Sequence, residues 1–255
     1  MRTRYYILTG FIAYIIFLIV SVPAAPVISM LDKKVPAAIS NVSGTLWNGR
    51  AGKISTPRKI TLTDVEWSFL PWHLLLASVA IDVDADFYDE PLSARLSTGI
   101  GRSLDIDNLD LLLGAADITP MIALPIGELS GEFQFKIDSA TLKQGEVPRV
   151  DGTIIWQQAA VTIAETAQLG NVTIRANEDD ASPLTANVSN KGGDISLNGV
   201  LTTTDQGDYS LRITMKPNDT ASDNLVSSLA MFSKKQRNVE YILNNKGNLK
   251  QLGLM

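Results

Sequence analysis

Val65-Glu66-Trp67-Ser68-Phe69 and Ile81-Asp82-Val83-Asp84-Ala85-Asp86-Phe87 alternate apolar and polar residues throughout, the period of a strand with one apolar face. Between them, Pro71-Trp72-His73-Leu74-Leu75-Leu76-Ala77 is too apolar for an exposed turn. Its Pro suits the first position of a helix, so a short helix is expected there. Working outward, Tyr88-Asp89-Glu90-Pro91 should reverse the chain before Leu92-Ser93-Ala94-Arg95-Leu96. Leu104, Ile106, Leu109, Leu111 and Leu113 supply a further strand. Pro120 and Pro125 limit any helix in 115–125 to a short one.

The same alternation returns in Phe133-Phe135-Ile137, Ile154-Trp156, Val172-Ile174, Leu184-Ala186-Val188, Ile195-Leu197 and Tyr209-Leu211-Ile213-Met215. Many closely spaced strands predict antiparallel sheet. Four segments share an apolar-polar-Gly-x-apolar core, centred on Gly44, Gly131, Gly152 and Gly199. Gly inside a strand marks a bulge or bend, and recurrent bends would curl a long sheet into a trough. A flat sandwich is the alternative. After Pro217 the cap candidates of Asn218-Asp219-Thr220-Ala221-Ser222-Asp223 precede Leu225, Val226, Leu229 and Phe232 on one helical face. Ser233-Lys234-Lys235-Gln236-Arg237 reads as a solvated helix end.

At the other end of the chain, Tyr5 to Leu31 carries no charge and follows Arg2 and Arg4. Its apolar part is long enough for a helix of about 20 residues across the bilayer core. A cleavable signal peptide is the rival reading, because Val22-Pro23-Ala24 and Ala24-Ala25-Pro26 offer small residues. Its apolar region would normally last about 7–15 residues, and this run is longer. The arginines favour a cytoplasmic N-terminus under the positive-inside bias, although Lys33 and Lys34 lie just past the far end. The remainder is exported under either reading.

Composition excludes several functions. There is no cysteine, hence no disulfide or thiolate chemistry, and one histidine, too few for a His- or Cys-based zinc site. A net charge of −5 disfavours nucleic acid, which needs a basic footprint. His73 lies between Trp72 and Leu74 and reads as a packing residue. No Gly-x-Ser-x-Gly elbow accompanies it. Asp82, Asp84 and Asp86 share one strand face. Their spelling resembles the opening of an EF-hand loop, but Phe87 replaces its Gly and Ser93 its bidentate Glu. A solvated acidic face is the expectation. Gly99-Ile100-Gly101-Arg102 lacks the context of a dinucleotide loop and reads as a hairpin. No catalytic residue, cofactor or metal is assigned.

Val42-Ser43-Gly44-Thr45-Leu46-Trp47-Asn48-Gly49-Arg50-Ala51 resembles the Gly-Thr-Leu-Trp-x-Gly-Arg-Ala signature of protein N of the type II secretion system, the general secretion pathway. Val65 to Leu75 is similar to that family's strand-Pro-Trp-helix segment. The resemblance is sharp in the first third of the chain and rests on strand pattern and size beyond about Gly114. It implies a non-enzymatic, single-pass inner-membrane protein with a periplasmic domain, an accessory component of protein export across the outer membrane. The family is grouped with AsmA-like proteins, whose curved sheets are associated with lipid handling. The motif residues singled out as structural or interacting are Gly44, Thr45, Leu46, Trp47, Gly49, Arg50, Trp67, Pro71 and Trp72. Trp47 is expected as a large anchor in an alternating strand.

The expected fold is mainly β: a single N-terminal transmembrane helix, then a long curved antiparallel β-sheet domain with one or two short helices. The expected division is a cytoplasmic tail 1–4, an anchor 5–25, a linker 26–40 and a periplasmic β-rich domain 41–255. Three functions compete. The first is a tethered module that docks on other secretion-system envelope proteins. The second is a lipid-binding or lipid-transfer module holding phospholipid on an apolar sheet face. The third is an exported enzyme, which the residue inventory disfavours.

Overall fold

The computed structural model describes residues 2–31, 37–56, 61–99, 101, 103–118, 128–162, 165–179, 182–232, 234–235 and 240–252. They form two compact units, Met1–Ser93 and Ala94–Met255. In the first, helix α1, Arg2–Val20, ends at Ser21–Pro23 and helix α2, Ala24–Leu31, follows. Pro26 sits in the first turn of α2, where a missing N–H costs no helical bond. Strands β1 (Ala38–Ser40), β2 (Ser43–Gly44), β3 (Asn48–Ser55), β4 (Thr61–Phe69) and β5 (Val79–Phe87) then build antiparallel sheet in the order β1-β3-β4-β5, with β2 beside β3.

The period-two pattern explains this sheet. Ala51, Val65 and Ala85 are buried, and Ile54, Leu62, Trp67 and Val83 pack against them. The alternate positions Arg50, Glu66 and Asp84 form one cross-strand row on the opposite face. A 3-10 helix, Pro71–Leu76, connects β4 to β5 with Pro at its start, as the sequence predicts. The reversal at Tyr88-Asp89 uses two left-handed residues, φ 53° and 64°. Strand β6, Glu90–Thr98, then carries the chain into the second unit.

The second unit contains β7 (Leu104–Gly114), α3 (Ala115–Ile118), β8 (Glu128–Leu142), β9 (Arg149–Thr162), β10 (Thr166–Asp179), β11 (Ser182–Lys191), β12 (Ile195–Thr203) and β13 (Asp208–Pro217). It ends with α4 (Asp223–Phe232), β14 (Lys234–Lys235), β15 (Tyr241–Asn248) and a 3-10 turn, Leu249–Leu252. From β7 to β13 each strand pairs antiparallel with the next. Strand β15 pairs with β13 on one side and β14 on the other. Phe133 and Trp156 face each other across β8 and β9. Their rings stack with centroids 4.8 Å apart and planes 14° from parallel, and the Trp156 indole N–H donates to the Ser130 carbonyl at 2.9 Å. Asn190 ties the β11–β12 connection, donating to the Leu169 and Ile195 carbonyls at 2.7 and 2.6 Å and accepting from the Leu197 N–H.

The fold is therefore mainly β and antiparallel with few short helices. The expected bulges occur at Gly131, beside the Ser130/Glu132 register shift, and at Gly152, beside the Ile137/Ser139 shift. Gly199 instead pairs regularly with Ile213. In 115–125, where Pro120 and Pro125 limit any helix to a short one, α3 takes Ala115–Ile118, and residues 119–127 lie outside the described residues. The stretch expected as linker, 26–40, carries most of α2 and all of β1. In the expected basic helix end, Lys234–Lys235 form β14, and Ser233, Gln236 and Arg237 lie outside the described residues. Among the described residues, no helix is long and apolar enough to cross a membrane. The expected anchor, 5–25, coincides with α1 as far as Val20, and the side chains of Tyr5, Ile7, Leu8 and Ile16 lie outside the description.

Candidate functional site

The end of α1 meets the sheet at the segment Gly44 to Arg50. A helix leaves its last carbonyls without helical donors, and the turn between β2 and β3 supplies donors from outside. The Trp47 indole N–H donates to the Ile19 carbonyl at 2.7 Å, and the Leu46 N–H donates to the Val22 carbonyl at 2.9 Å. Thr45 bridges Pro23. Its N–H donates to the Asn48 carbonyl at 2.8 Å, and its hydroxyl accepts from the Asn48 N–H at 3.0 Å. These bonds close the turn. Ala24, where α2 begins, is fully buried.

Two tryptophans brace this joint. Trp47 packs on Phe69 with ring centroids 4.8 Å apart, and the Phe69 N–H donates to the Trp47 carbonyl at 2.6 Å. Trp67 donates to the Leu46 carbonyl at 3.1 Å and lies over Gly49, where a Cβ would enter the Trp67 ring. Gly44 pairs with Gly49 at φ +81°, a left-handed conformation that favours glycine. Trp47 is half-buried in the turn itself, so it is not the strand anchor that alternation suggests. No apolar period governs a tight turn, and the ring is fixed by the carbonyl it bonds.

Arg50 points to the other face and pairs with Glu66 at 2.8 Å. Glu66 in turn stands directly opposite Asp84. Both members of the ion pair are well exposed, a setting in which such bridges contribute about 0–1 kcal/mol. A shallow depression of about 330 Å³ includes Ser43, Asn48, Arg50, Glu66 and Asp84. Asp82, Asp84 and Asp86 lie along β5 opposite Ser68, Glu66 and Thr63. No group of acidic or His side chains among the described residues could hold a metal ion.

The remaining motif residues, Pro71 and Trp72, are on the β4–β5 connection, directly after Phe69. Leu70 pairs back to the Ala80 carbonyl through its N–H at 2.9 Å. The loop beyond is exposed, with Trp72 at 74%, Leu75 at 83% and Leu76 at 76%. Its apolarity therefore does not report burial. His73 is half-buried, its Nδ1 3.3 Å from the Ser78 hydroxyl. The structure thus gathers Gly44, Thr45, Leu46, Trp47, Gly49, Trp67, Pro71 and Trp72 at one end of the first sheet, with Arg50 on its polar face. The backbone carbonyls of Ile19 and Val22 complete the joint and carry no sequence signal.

Neither the comparison with curated proteins nor that with solved structures finds a match. The family model for the type II secretion system (T2SS), protein N, matches residues 36–244, from just before β1 into β15. That family is a non-catalytic part of a bacterial-envelope apparatus for protein transport. The match takes in the sheet side of the joint, the acidic strand and nearly all of the second unit, and this chain belongs to the type II secretion system protein N family.

Proposed function

We propose that the chain is a non-enzymatic accessory component of type II secretion, held at the inner membrane by α1, with its N-terminus cytoplasmic and its β units periplasmic. The carrying observation is the surface of α1. Phe11, Ile12, Phe17, Leu18, Ile19 and Val20 are between 46% and 65% exposed. At 100° per residue these positions cover the whole circumference, and a helix apolar all round calls for an apolar surrounding. Its charge-free part, residues 5–20, rises about 24 Å at about 1.5 Å each, short of the ~30 Å hydrocarbon core, a mismatch that a bilayer meets by thinning locally. Anchoring raises the effective concentration of the β units toward other membrane-bound secretion proteins, and docking on these is the work assigned to the domain.

The lipid-carrier alternative has less support. Among the described residues of the second unit, the exposed large apolar side chains are Leu104 and Leu142, opposite each other at one end of β7 and β8, and Val200 on β12, too few to line a continuous apolar face. Secretion assays in a strain lacking the protein test the proposal. Wild type should restore export, and the double variant Phe11→Lys, Ile12→Lys, in the middle of α1, should leave the membrane fraction and fail, each lysine costing about 2.5–3.5 kcal/mol at a helix centre. Full export by a variant found in the soluble fraction would remove the anchor from the account.

A further inference from the structure

We propose that the β4–β5 tip, Pro71–Val79, is a second membrane contact that inserts its apolar side chains into the headgroup boundary beside α1. This rests on the anchor reading above and adds a site to it. Trp72, Leu74, Leu75, Leu76 and Val79 are 74%, 55%, 83%, 76% and 47% exposed, in a loop of which no residue is buried. From Trp67 to Ile81 there is no Asp, Glu, Lys or Arg. A contiguous exposed apolar patch marks an interaction surface, and the absence of charge suits hydrocarbon rather than a charged protein rim.

Part of the tip's backbone is already paired internally, which lowers the cost of entering an apolar medium. Leu70 N–H donates to the Ala80 carbonyl, His73 N–H to Leu70, Ala77 N–H to Leu74, and Ser78 N–H to His73. The Ser78 hydroxyl adds a bond to the His73 carbonyl at 3.1 Å. Ala77 is held in the left-handed region, φ 54° and ψ 33°, a costly state for a residue with a Cβ. Such outliers persist where the surroundings fix them and cluster at functional places. The loop is thus presented in one shape, with little ordering left to do on binding.

Position selects the bilayer as occupant. Phe69, two residues before Pro71, packs on Trp47, and Trp47 bonds the Ile19 carbonyl at the last turn of α1. The tip therefore leaves the sheet at the level where α1 would emerge from the membrane. Trp at that level is the side chain that interfaces favour, apolar over its body with one N–H to hydrate.

The chain contains no cysteine, so L75C, L76C, F17C and N187C each offer a unique thiol for a nitroxide label in the full protein. In vesicles of phosphatidylethanolamine and phosphatidylglycerol, collisions with oxygen, which gathers among acyl chains, are compared with collisions with a water-soluble nickel chelate. The labels at L75C and L76C should shift toward oxygen as F17C does, whereas N187C, on an exposed strand position, should favour nickel. Nickel-accessible L75C and L76C beside an oxygen-favouring F17C would overturn the tip contact and leave the anchor. A nickel-accessible F17C would overturn both. Shielding of L75C and L76C from both reagents would mean that protein covers the tip, and would also overturn the proposal.

Discussion

Trp47 links three parts of the first unit through one side chain: the last turn of α1, the β2–β3 turn and the Phe69 ring. Trp47→Phe keeps most of the packing and removes the indole donor, so it should cost about 1 kcal/mol, the net worth of one hydrogen bond. Trp47→Ala should cost about 2 kcal/mol, below the 3–5 of a fully buried Trp, because the ring is half-exposed. Denaturant melts of both variants check the order, and equal stabilities would deny the bond any role. At Gly49, Ala would force its methyl into Trp67 and should cost about 1–3 kcal/mol through overpacking; a neutral result in the same melts would contradict the close approach. Arg50→Ala leaves Glu66 facing Asp84 and should cost no more than about 1 kcal/mol, given its exposure. The importance of Gly44, Trp47 and Gly49 was legible because few backbones require such extreme residue types together. Their common target was not, since a helix-terminal carbonyl is the same in every sequence.

Elements were legible where alternation was regular. Strands β4, β5, β8 and β9 lie where the alternation puts them, with bulges interrupting the β4–β5 and β8–β9 pairs, and the apolar stripe ahead of Phe232 gives α4. Ser222 starts that helix by accepting from the Leu225 N–H at 3.1 Å while its hydroxyl donates to Glu165 at 2.6 Å. Ser222→Ala should therefore lower stability by about 1 kcal/mol, the usual worth of an N-cap, and unchanged unfolding would mean that α4 is held by packing alone. In the β4–β5 tip, Ala77→Gly should instead raise stability by about 1 kcal/mol by relieving the left-handed residue, measured in the same way; a loss would show that the strain is offset by side-chain contacts. Strand β15 escaped the sequence reading because Asn244-Asn245-Lys246-Gly247 breaks the alternation. Pairing with β13 along its length makes it a strand, a case of tertiary context overriding propensity. The tip differs for the opposite reason: its apolarity points to burial, whereas Trp72, Leu74, Leu75 and Leu76 are exposed. The terminal strands β1 and β14, three and two residues long, have the shortness with which natural sheets blunt their edges.

The family match covers residues 36–244, so it bears on the β units and leaves α1 to be argued from its own chemistry. The charge-free run behind two arginines is plain in the sequence. Where the helix stops was not plain. The run continues to Leu31, but α1 ends at Val20, where Ser21-Val22-Pro23 breaks the helix and the Trp47 joint receives its last carbonyls. The account places that joint at the periplasmic surface. Its most direct test is alkaline extraction of envelopes followed by protease treatment of intact spheroplasts expressing the full chain. The account predicts that the protein stays in the membrane pellet and that protease added outside removes both β units. Release into the alkaline supernatant, or β units protected until the cells are lysed, would contradict it.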